Sequence, residues 1–267
     1  MKRLAWTGLL AVTLALGLQS AAMAQLAPPV AAQTSRLDEI VARGTLRIGM
    51  TGDYKPFTYF NPAKNAFEGM DVDMGESLAK ALGVKAEFVK TSWPTLAKDF
   101  DAGLFDIGMG GISITFDRAR KGFFSTAIMR EGKTPITRCE NKDKFATIAD
   151  IDKAGVRAIV NPGGTNERFA KANLKSAEIK VHPDNVTIFD EIIKGNADLM
   201  ITDASETIYQ SKLKPELCAV HPEKPFDFFE KAYWMPRDVV LKSFVDQWLH
   251  ITRETGGFQR TYDAWFK

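Results

Sequence analysis

From residue 45 onward, short apolar or β-branched runs alternate with stretches whose apolar residues recur every three or four positions. The runs Thr45 to Thr51, Lys85 to Lys90 and Ile107 to Gly110 read as strands, and the stretches Val72 to Leu82 and Trp93 to Phe100 between them read as helices. The alternation resumes after Lys133. Strands are expected at Thr134 to Arg138, Val156 to Val160, Glu178 to His182 and Asp198 to Ile201, with helices at Asn166 to Ala172 and Val186 to Lys194. The tail from Val239 to Phe266 reads as helical, with Val240, Phe244, Trp248 and Ile251 at steps of three and four. Strand and helix in alternation predict an α/β fold built as two successive units.

Residues 1–24 stand apart from that pattern. Lys2 and Arg3 precede an apolar run from Leu9 to Leu18, and Ala22-Met23-Ala24 supplies a small-residue cleavage site, the three parts of a secretory signal. A membrane span needs about 20 apolar residues, and Gln19 and Ser20 interrupt this run, so no span is expected once the signal is removed. Residues 25–35, rich in Ala, Pro and Gln, show no apolar period and are expected to form a disordered lead-in, with folding starting near Arg36. A mature chain of roughly 240 residues is large for one core and comfortable for two lobes.

Composition narrows the function classes. The 267 residues are 45% hydrophobic and 25% charged, with 20 Gly and 12 Pro, a soluble globular mixture that excludes a fibrous or low-complexity protein. Lys and Arg number 35 against 33 Asp and Glu, and loss of Lys2 and Arg3 with the signal makes the charges equal; nothing then favours nucleic acid or an anionic membrane as partner. Cys139 and Cys218 are the only cysteines, both in the exported part, where thiols are oxidised, so one disulfide between them is expected, with two buried free thiols as the alternative. His182, His221 and His250 are too widely spaced for a metal-ligand pair on one helix, and no metal is expected. Nucleophile-elbow, phosphate-loop and dinucleotide patterns are missing from the sequence, so no cofactor is expected and the partner is a small molecule.

Four polar segments follow predicted strands, where open α/β sheets hold their ligands. In Gly52-Asp53-Tyr54-Lys55-Pro56-Phe57, Tyr54 and Phe57 are an aromatic wall or loop packing, and Lys55 is a cation suited to an anionic substrate. In Gly110-Gly111-Ile112-Ser113-Ile114-Thr115-Phe116-Asp117-Arg118, Gly111 lets the backbone approach a ligand, Ser113 offers a hydroxyl, and Arg118 either grips a carboxylate or is a solvated helix residue behind a Thr115 cap. Asn161-Pro162-Gly163-Gly164-Thr165-Asn166-Glu167 opens a helix whose free N–H groups, with Thr165 and Asn166, form an anion cradle. Glu167 sits in its first turn, where a capping or macrodipole role explains an acid equally well. Asp203 either meets a ligand ammonium or caps the next helix.

Together with Phe67-Glu68-Gly69-Met70-Asp71-Val72-Asp73 and Phe124-Ser125, these segments resemble the periplasmic amino-acid-binding proteins over nearly all of the mature chain. The resemblance implies two α/β lobes joined by two crossovers, with a ligand cleft between them that closes by a hinge; lobe 1 is expected to comprise 36–131 and 224–267, and lobe 2 132–223. It also implies that Arg118 grips an α-carboxylate and that Asp203 meets an α-ammonium.

A finer resemblance lies in Thr51 to Phe57, Thr91-Ser92-Trp93-Pro94, Gly132-Lys133-Thr134-Pro135-Ile136-Thr137, Asn161 to Glu167 and His182-Pro183-Asp184-Asn185-Val186-Thr187. In this order they are similar to a secreted branch of that family that dehydrates cyclohexadienyl acids. The resemblance implies a lyase that converts prephenate to phenylpyruvate and arogenate to phenylalanine, with Glu167 as general acid. Arg118 would then anchor the side-chain carboxylate, Tyr54, Phe57 and Trp93 would clasp the ring, and Lys55 or the amides near Thr165 would orient the ring carboxylate. A helix N-terminus favours ionised Glu, so an acid there needs burial or a nearby anion to hold its proton. The segments Gly110-Gly111 and Ile114-Thr115 are as close to transport receptors, and the alternative is a non-catalytic amino-acid-binding protein of an ABC importer with Arg118 and Asp203 as its zwitterion clamp.

Overall fold

Ser35 caps the first helix: its hydroxyl accepts from the Asp38 amide while the Asp38 carboxylate accepts from the Ser35 amide, a reciprocal capping box. The computed structural model describes residues 34–267. The expected signal and the lead-in up to residue 33 lie outside the described residues.

In chain order the first half runs α1 (Arg36–Arg43), β1 (Thr45–Met50), β2 (Asp53–Tyr54), β3 (Thr58–Asn61), β4 (Ala66–Glu68), α2 (Met70–Ala81), β5 (Lys85–Lys90), α3 (Leu96–Asp101), β6 (Ile107–Gly108), α4 (Phe116–Ala119), β7 (Phe123–Phe124) and β8 (Met129–Glu131). Then come β9 (Lys133–Arg138), α5 (Ile148–Ile151), β10 (Arg157–Val160), α6 (Thr165–Asn173), β11 (Glu178–Val181), α7 (Ile188–Ile193), β12 (Leu199–Asp203), α8 (Ala204–Leu213) and β13 (Leu217–Ala219). The chain closes with β14 (Phe229–Lys231), β15 (Trp234–Met235), α9 (Val239–Glu254) and α10 (Gly257–Phe266).

Two five-stranded sheets form the two lobes. The first has the order β5-β1-β6-β15-β7 and the second β11-β10-β12-β9-β13. In each, the strand joined to its neighbour through a helix is parallel to it: β1 pairs with β5 in register Thr45 to Lys85, and β10 with β11 in register Arg157 to Glu178. The remaining pairs in each sheet include antiparallel ones, β15 with β6 in the first and β9 with β12 in the second. Between the lobes, β8 pairs antiparallel with β14, so the two crossing segments form one short ribbon. Among the described residues no helix is long and apolar enough to cross a membrane.

Each sheet buries its own apolar face. Ile48, Met50, Leu78 and Met74 pack under the first sheet with Leu249, while Ile136, Ile188, Phe189 and Met200 pack on one side of the second and Val160, Ala170 and Ile201 on the other. The tail differs from expectation in two ways. Gly256, with φ of 70°, breaks it into α9 and α10. The buried stripe of α9 is Leu241, Val245, Trp248 and Leu249, one position round from the predicted face, so Val240 and Ile251 are exposed. Sequence periodicity also missed α8 and the β2-β3-β4 meander, whose strands are too short to show a period. Cys139 and Cys218 are disulfide-bonded across the edge of the second sheet, with Cα atoms 4.8 Å apart.

Candidate active site

A narrow cavity lies where the carboxyl ends of the two sheets face each other. Seven of the expected residues line it: Tyr54, Trp93, Gly111 and Ser113 on one side, Thr165, Asn166 and Asp203 on the other. Asn161, Gly164 and Asn185 complete the lining. Among the described residues no cluster of His, Cys, Asp and Glu is placed to hold a metal ion.

Aromatic packing shapes the first wall. Tyr54 stacks on Phe57 with ring centroids 5.2 Å apart and meets the Trp93 ring edge-on at 5.8 Å. Phe57 does not reach the cavity: it is fully buried against Phe266 in the core, so the wall is Tyr54 and Trp93 with Phe57 behind. Gly111, at φ of +67°, is where the backbone must come close, because a Cβ there would lie 2.5 Å from the Tyr54 ring. The Gly110 and Gly111 amides both donate to Asp71 at 2.8 Å, and the Tyr233 hydroxyl donates to the other carboxylate oxygen at 3.0 Å. Burial outweighs these bonds and pushes Asp71 up to about 6.

Arg118 is buried one layer from the cavity, in an adjoining recess that shares Trp93 and also holds Gly163 and Arg168. Its Nη1 donates to the Ser113 carbonyl at 2.8 Å and its guanidinium lies 5.9 Å from the Trp93 ring centre. No carboxylate among the described residues forms an ion pair with it. Burial, together with the nearby Arg168, lowers its proton affinity to about 10, the state of a cation lacking a counter-charge. Thr115 does cap the helix that carries it, accepting from the Arg118 amide.

The second wall contains the residues that sequence reasoning missed. Lys133, at the start of β9, is buried and donates to Asn166, to Asp203 and, at 2.9 Å, to the Thr165 hydroxyl. Lys231, at the end of β14, is fully buried and donates to Asp203 Oδ2 at 2.6 Å and to the Gly111 carbonyl at 3.0 Å. The Tyr54 hydroxyl donates to the same Oδ2. Asp203 therefore occupies the N-cap position of α8 without making a side-chain cap, and opposes burial through the two lysines, which hold it ionised well below the usual range. Beneath it, Glu206 accepts from the Thr202 hydroxyl, and burial pushes its carboxyl up to about 8. A lysine flanked by aromatic residues on both sides, as in Phe228-Phe229-Glu230-Lys231-Ala232-Tyr233-Trp234, was the available signal for Lys231.

Besides Phe57 and Arg118, two more expected residues do not line the cavity. Lys55 lies half-buried with its ammonium 3.9 Å from the Tyr59 ring centre and borders a separate recess with Asp53 and Asn185. The turn aims its side chain along the outer face of β3 rather than inward. Glu167, on the first turn of α6, accepts from the Gly163 amide at 2.7 Å and pairs with Lys171 at 2.6 Å. These contacts, Lys171 first, lower its pKa below the ordinary Glu value, so in this arrangement the side chain is a carboxylate.

Comparison with known proteins places these features in context. Residues 46–267 match the bacterial extracellular solute-binding proteins, family 3. The chain is 56% identical over 236 residues, 88% of each chain, to the cyclohexadienyl dehydratase of Pseudomonas aeruginosa. It is 26% identical to the L-cystine-binding protein TcyJ of Escherichia coli, covering 62% of each. Among solved structures, an ancestral amino acid-binding protein described as a precursor of cyclohexadienyl dehydratase superposes with a TM-score of 0.81 at 36% identity, over 87% of this chain and all of that one. An ancestral cyclohexadienyl dehydratase, 50% identical, gives 0.55 over 87% of this chain and 96% of that one.

Proposed function

The chain belongs to the bacterial extracellular solute-binding proteins, family 3, and we propose that within this family it is an enzyme, a cyclohexadienyl dehydratase acting outside the cytoplasm. The reaction is the decarboxylating dehydration of prephenate to phenylpyruvate and of arogenate to phenylalanine. Proton transfer to the ring hydroxyl lets the C–O bond break with its electron pair leaving on water. The C–C bond to the ring carboxylate then gives its pair to the ring, carbon dioxide departs, and aromatisation drives the step.

The observation that carries this reading is the charge of the cleft. Three buried cations, Arg118, Lys133 and Lys231, stand in or behind its walls, and among the described residues Asp203 is the one carboxylate paired to them. Such a surplus suits a substrate with two carboxylates. Arg118 takes the side-chain carboxylate, Tyr54 and Trp93 clasp the ring, and Thr165, Asn166 and the amides that open α6 orient the ring carboxylate. Glu167 follows Asn166 directly and is the proton donor; the incoming ring carboxylate replaces the influence of Lys171 and raises its proton affinity. The two-strand ribbon of β8 and β14 lies between lobes bounded at residues 131/132 and 223/224, and hinge motion there admits and encloses the substrate.

The purified mature protein, incubated with prephenate, is expected to release phenylpyruvate, and Glu167→Gln to lose turnover while keeping substrate affinity, because the amide retains shape but cannot donate the proton. Absence of turnover by the wild type, with heat stabilisation by free amino acids instead, would establish a transport receptor. Equal loss of affinity and turnover in the variant would remove Glu167 from the acid role.

A further inference from the structure

Three of the four acceptor sites of Asp203 are taken, and its charge is compensated by two lysines before any ligand ammonium arrives. Its Oδ1 accepts from Lys133, and its Oδ2 accepts from Lys231 at 2.6 Å and from the Tyr54 hydroxyl. Lys231 therefore supplies from within the chain the positive charge that a zwitterionic ligand would bring to this carboxylate. Its ammonium is further held among aromatic faces, 4.8 Å from the Tyr54 ring centre and 5.4 Å from that of Phe229.

The other buried carboxylates offer no substitute. Glu206 accepts from Thr202 on one oxygen and from Asn185, at 3.4 Å, on the other. Asp71 is taken by two backbone amides and Tyr233. Glu131 has one buried oxygen without a partner among the described residues, but the residue lines a different recess, with Ser205, Tyr209 and Tyr262, and its charge is already met by Lys231. A substrate ammonium entering the cavity would meet two lysines and no free anion, whereas a carbonyl oxygen at the same atom carries no charge and accepts hydrogen bonds. Lys231 still has an N–H to give, since only the Gly111 carbonyl and Asp203 take its protons.

We propose that Lys231 and Lys133 are specificity-determining residues that neutralise Asp203 and so select a 2-oxo acid over its 2-amino counterpart, prephenate over arogenate. The inference rests on the dehydratase reading and concerns the ratio between its two substrates. Like-charge juxtaposition in a buried site is expected to make kcat/KM for prephenate about tenfold or more above that for arogenate. Lys231→Met removes one of the two compensating charges and opens one acceptor site on Oδ2 beside the Tyr54 hydroxyl, and is expected to shrink or invert this ratio, chiefly by lowering KM for arogenate while KM for prephenate rises. Lys231→Arg, which keeps the charge, is expected to keep the preference, and Lys133→Met provides a second route to the same shift. Thermal unfolding establishes that each variant is folded. Equal or arogenate-favouring kcat/KM in the wild type, or an unchanged ratio in the folded methionine variants, overturns the proposal. Should neither variant fold, product inhibition of the wild type decides: phenylpyruvate inhibiting more tightly than phenylalanine supports it, and the reverse order overturns it. Failure of the wild type to turn over either substrate would instead overturn the dehydratase reading itself.

Discussion

The phenol of Tyr54 donates a hydrogen bond to Asp203, tying β2 on one lobe to the end of β12 on the other. Both partners line the cavity. A second tie, from the Asn185 amide to the Asp53 carbonyl at 3.0 Å, runs beside it. Closure is thus secured next to the ligand position rather than at the distant rim.

Tyr54→Phe keeps the ring that faces the substrate and removes only this tie. A hydrogen bond to a charged acceptor contributes about 1.5–3 kcal/mol, so kcat/KM should fall by roughly ten- to a hundredfold. Small-angle scattering with a bound product should show a larger radius of gyration than for the wild type. An unchanged scattering profile and unchanged kinetics would mean that the bond does not hold the lobes together.

Arg118→Met separates function from stability. The guanidinium is buried without an anionic partner and has a proton affinity reduced to about 10, so removing it relieves a desolvation cost even though the Ser113 carbonyl loses a donor. The melting temperature should rise by about 2–4 °C, a gain on the order of 1 kcal/mol, while KM for substrate rises at least about a hundredfold with the loss of the anchoring charge. A fall in melting temperature would show that the residue is chiefly structural.

Glu206 makes the fold sensitive to pH. Its carboxyl keeps its proton up to about 8 in the folded chain, because burial and the neighbouring Asp203 oppose ionisation, whereas in the unfolded chain it releases it near the ordinary Glu value of about 4.3. Folding therefore takes up a proton between these limits; the stabilisation is complete at low pH and declines as pH rises through the window, levelling above about 8. The slope from this group is at most about 1.4 kcal/mol per pH unit. Denaturant titrations at pH 5 to 8 should show the decline in the wild type and a flatter profile in Glu206→Gln.

The disulfide closes a loop with a sequence separation of 79 residues. Restricting that loop in the unfolded chain corresponds to about 4 kcal/mol. The double variant Cys139→Ser, Cys218→Ser should lose stability of that order in denaturant titrations, and the wild type should show a matching loss under reducing conditions. Equal midpoints with and without reductant would contradict this.

Seven of the ten strands in the two large sheets were legible from runs of β-branched or apolar residues, as in β1 and β12, and the turns that follow them gave Tyr54, Gly111, Ser113, Thr165, Asn166 and Asp203, whereas β7, β13 and β15, only two or three residues long, gave no such run. The charge arrangement was not legible. Lys133 and Lys231 lie 98 positions apart in sequence and meet only through Asp203, a relation that no local spacing encodes. Lys55 was the opposite case: its neighbours fixed the turn, but the direction of a long flexible side chain depends on what packs beside it, and here the Tyr59 ring draws it outward. Glu167 was located correctly on its helix, yet its partner Lys171, one turn on, sets its protonation.

The ribbon between the lobes has one further property. Lys231 ends β14 and bridges to Ser113, so a charge that neutralises Asp203 is mounted on the very strand about which the halves would swing. Rotation about that strand changes the separation of anion and cation as it changes the width of the mouth, which makes the electrostatic potential inside a function of the angle between the halves. A molecule arriving at a wide angle meets an acidic group stripped of part of its counter-charge; the same molecule enclosed at a narrow angle meets a neutralised one.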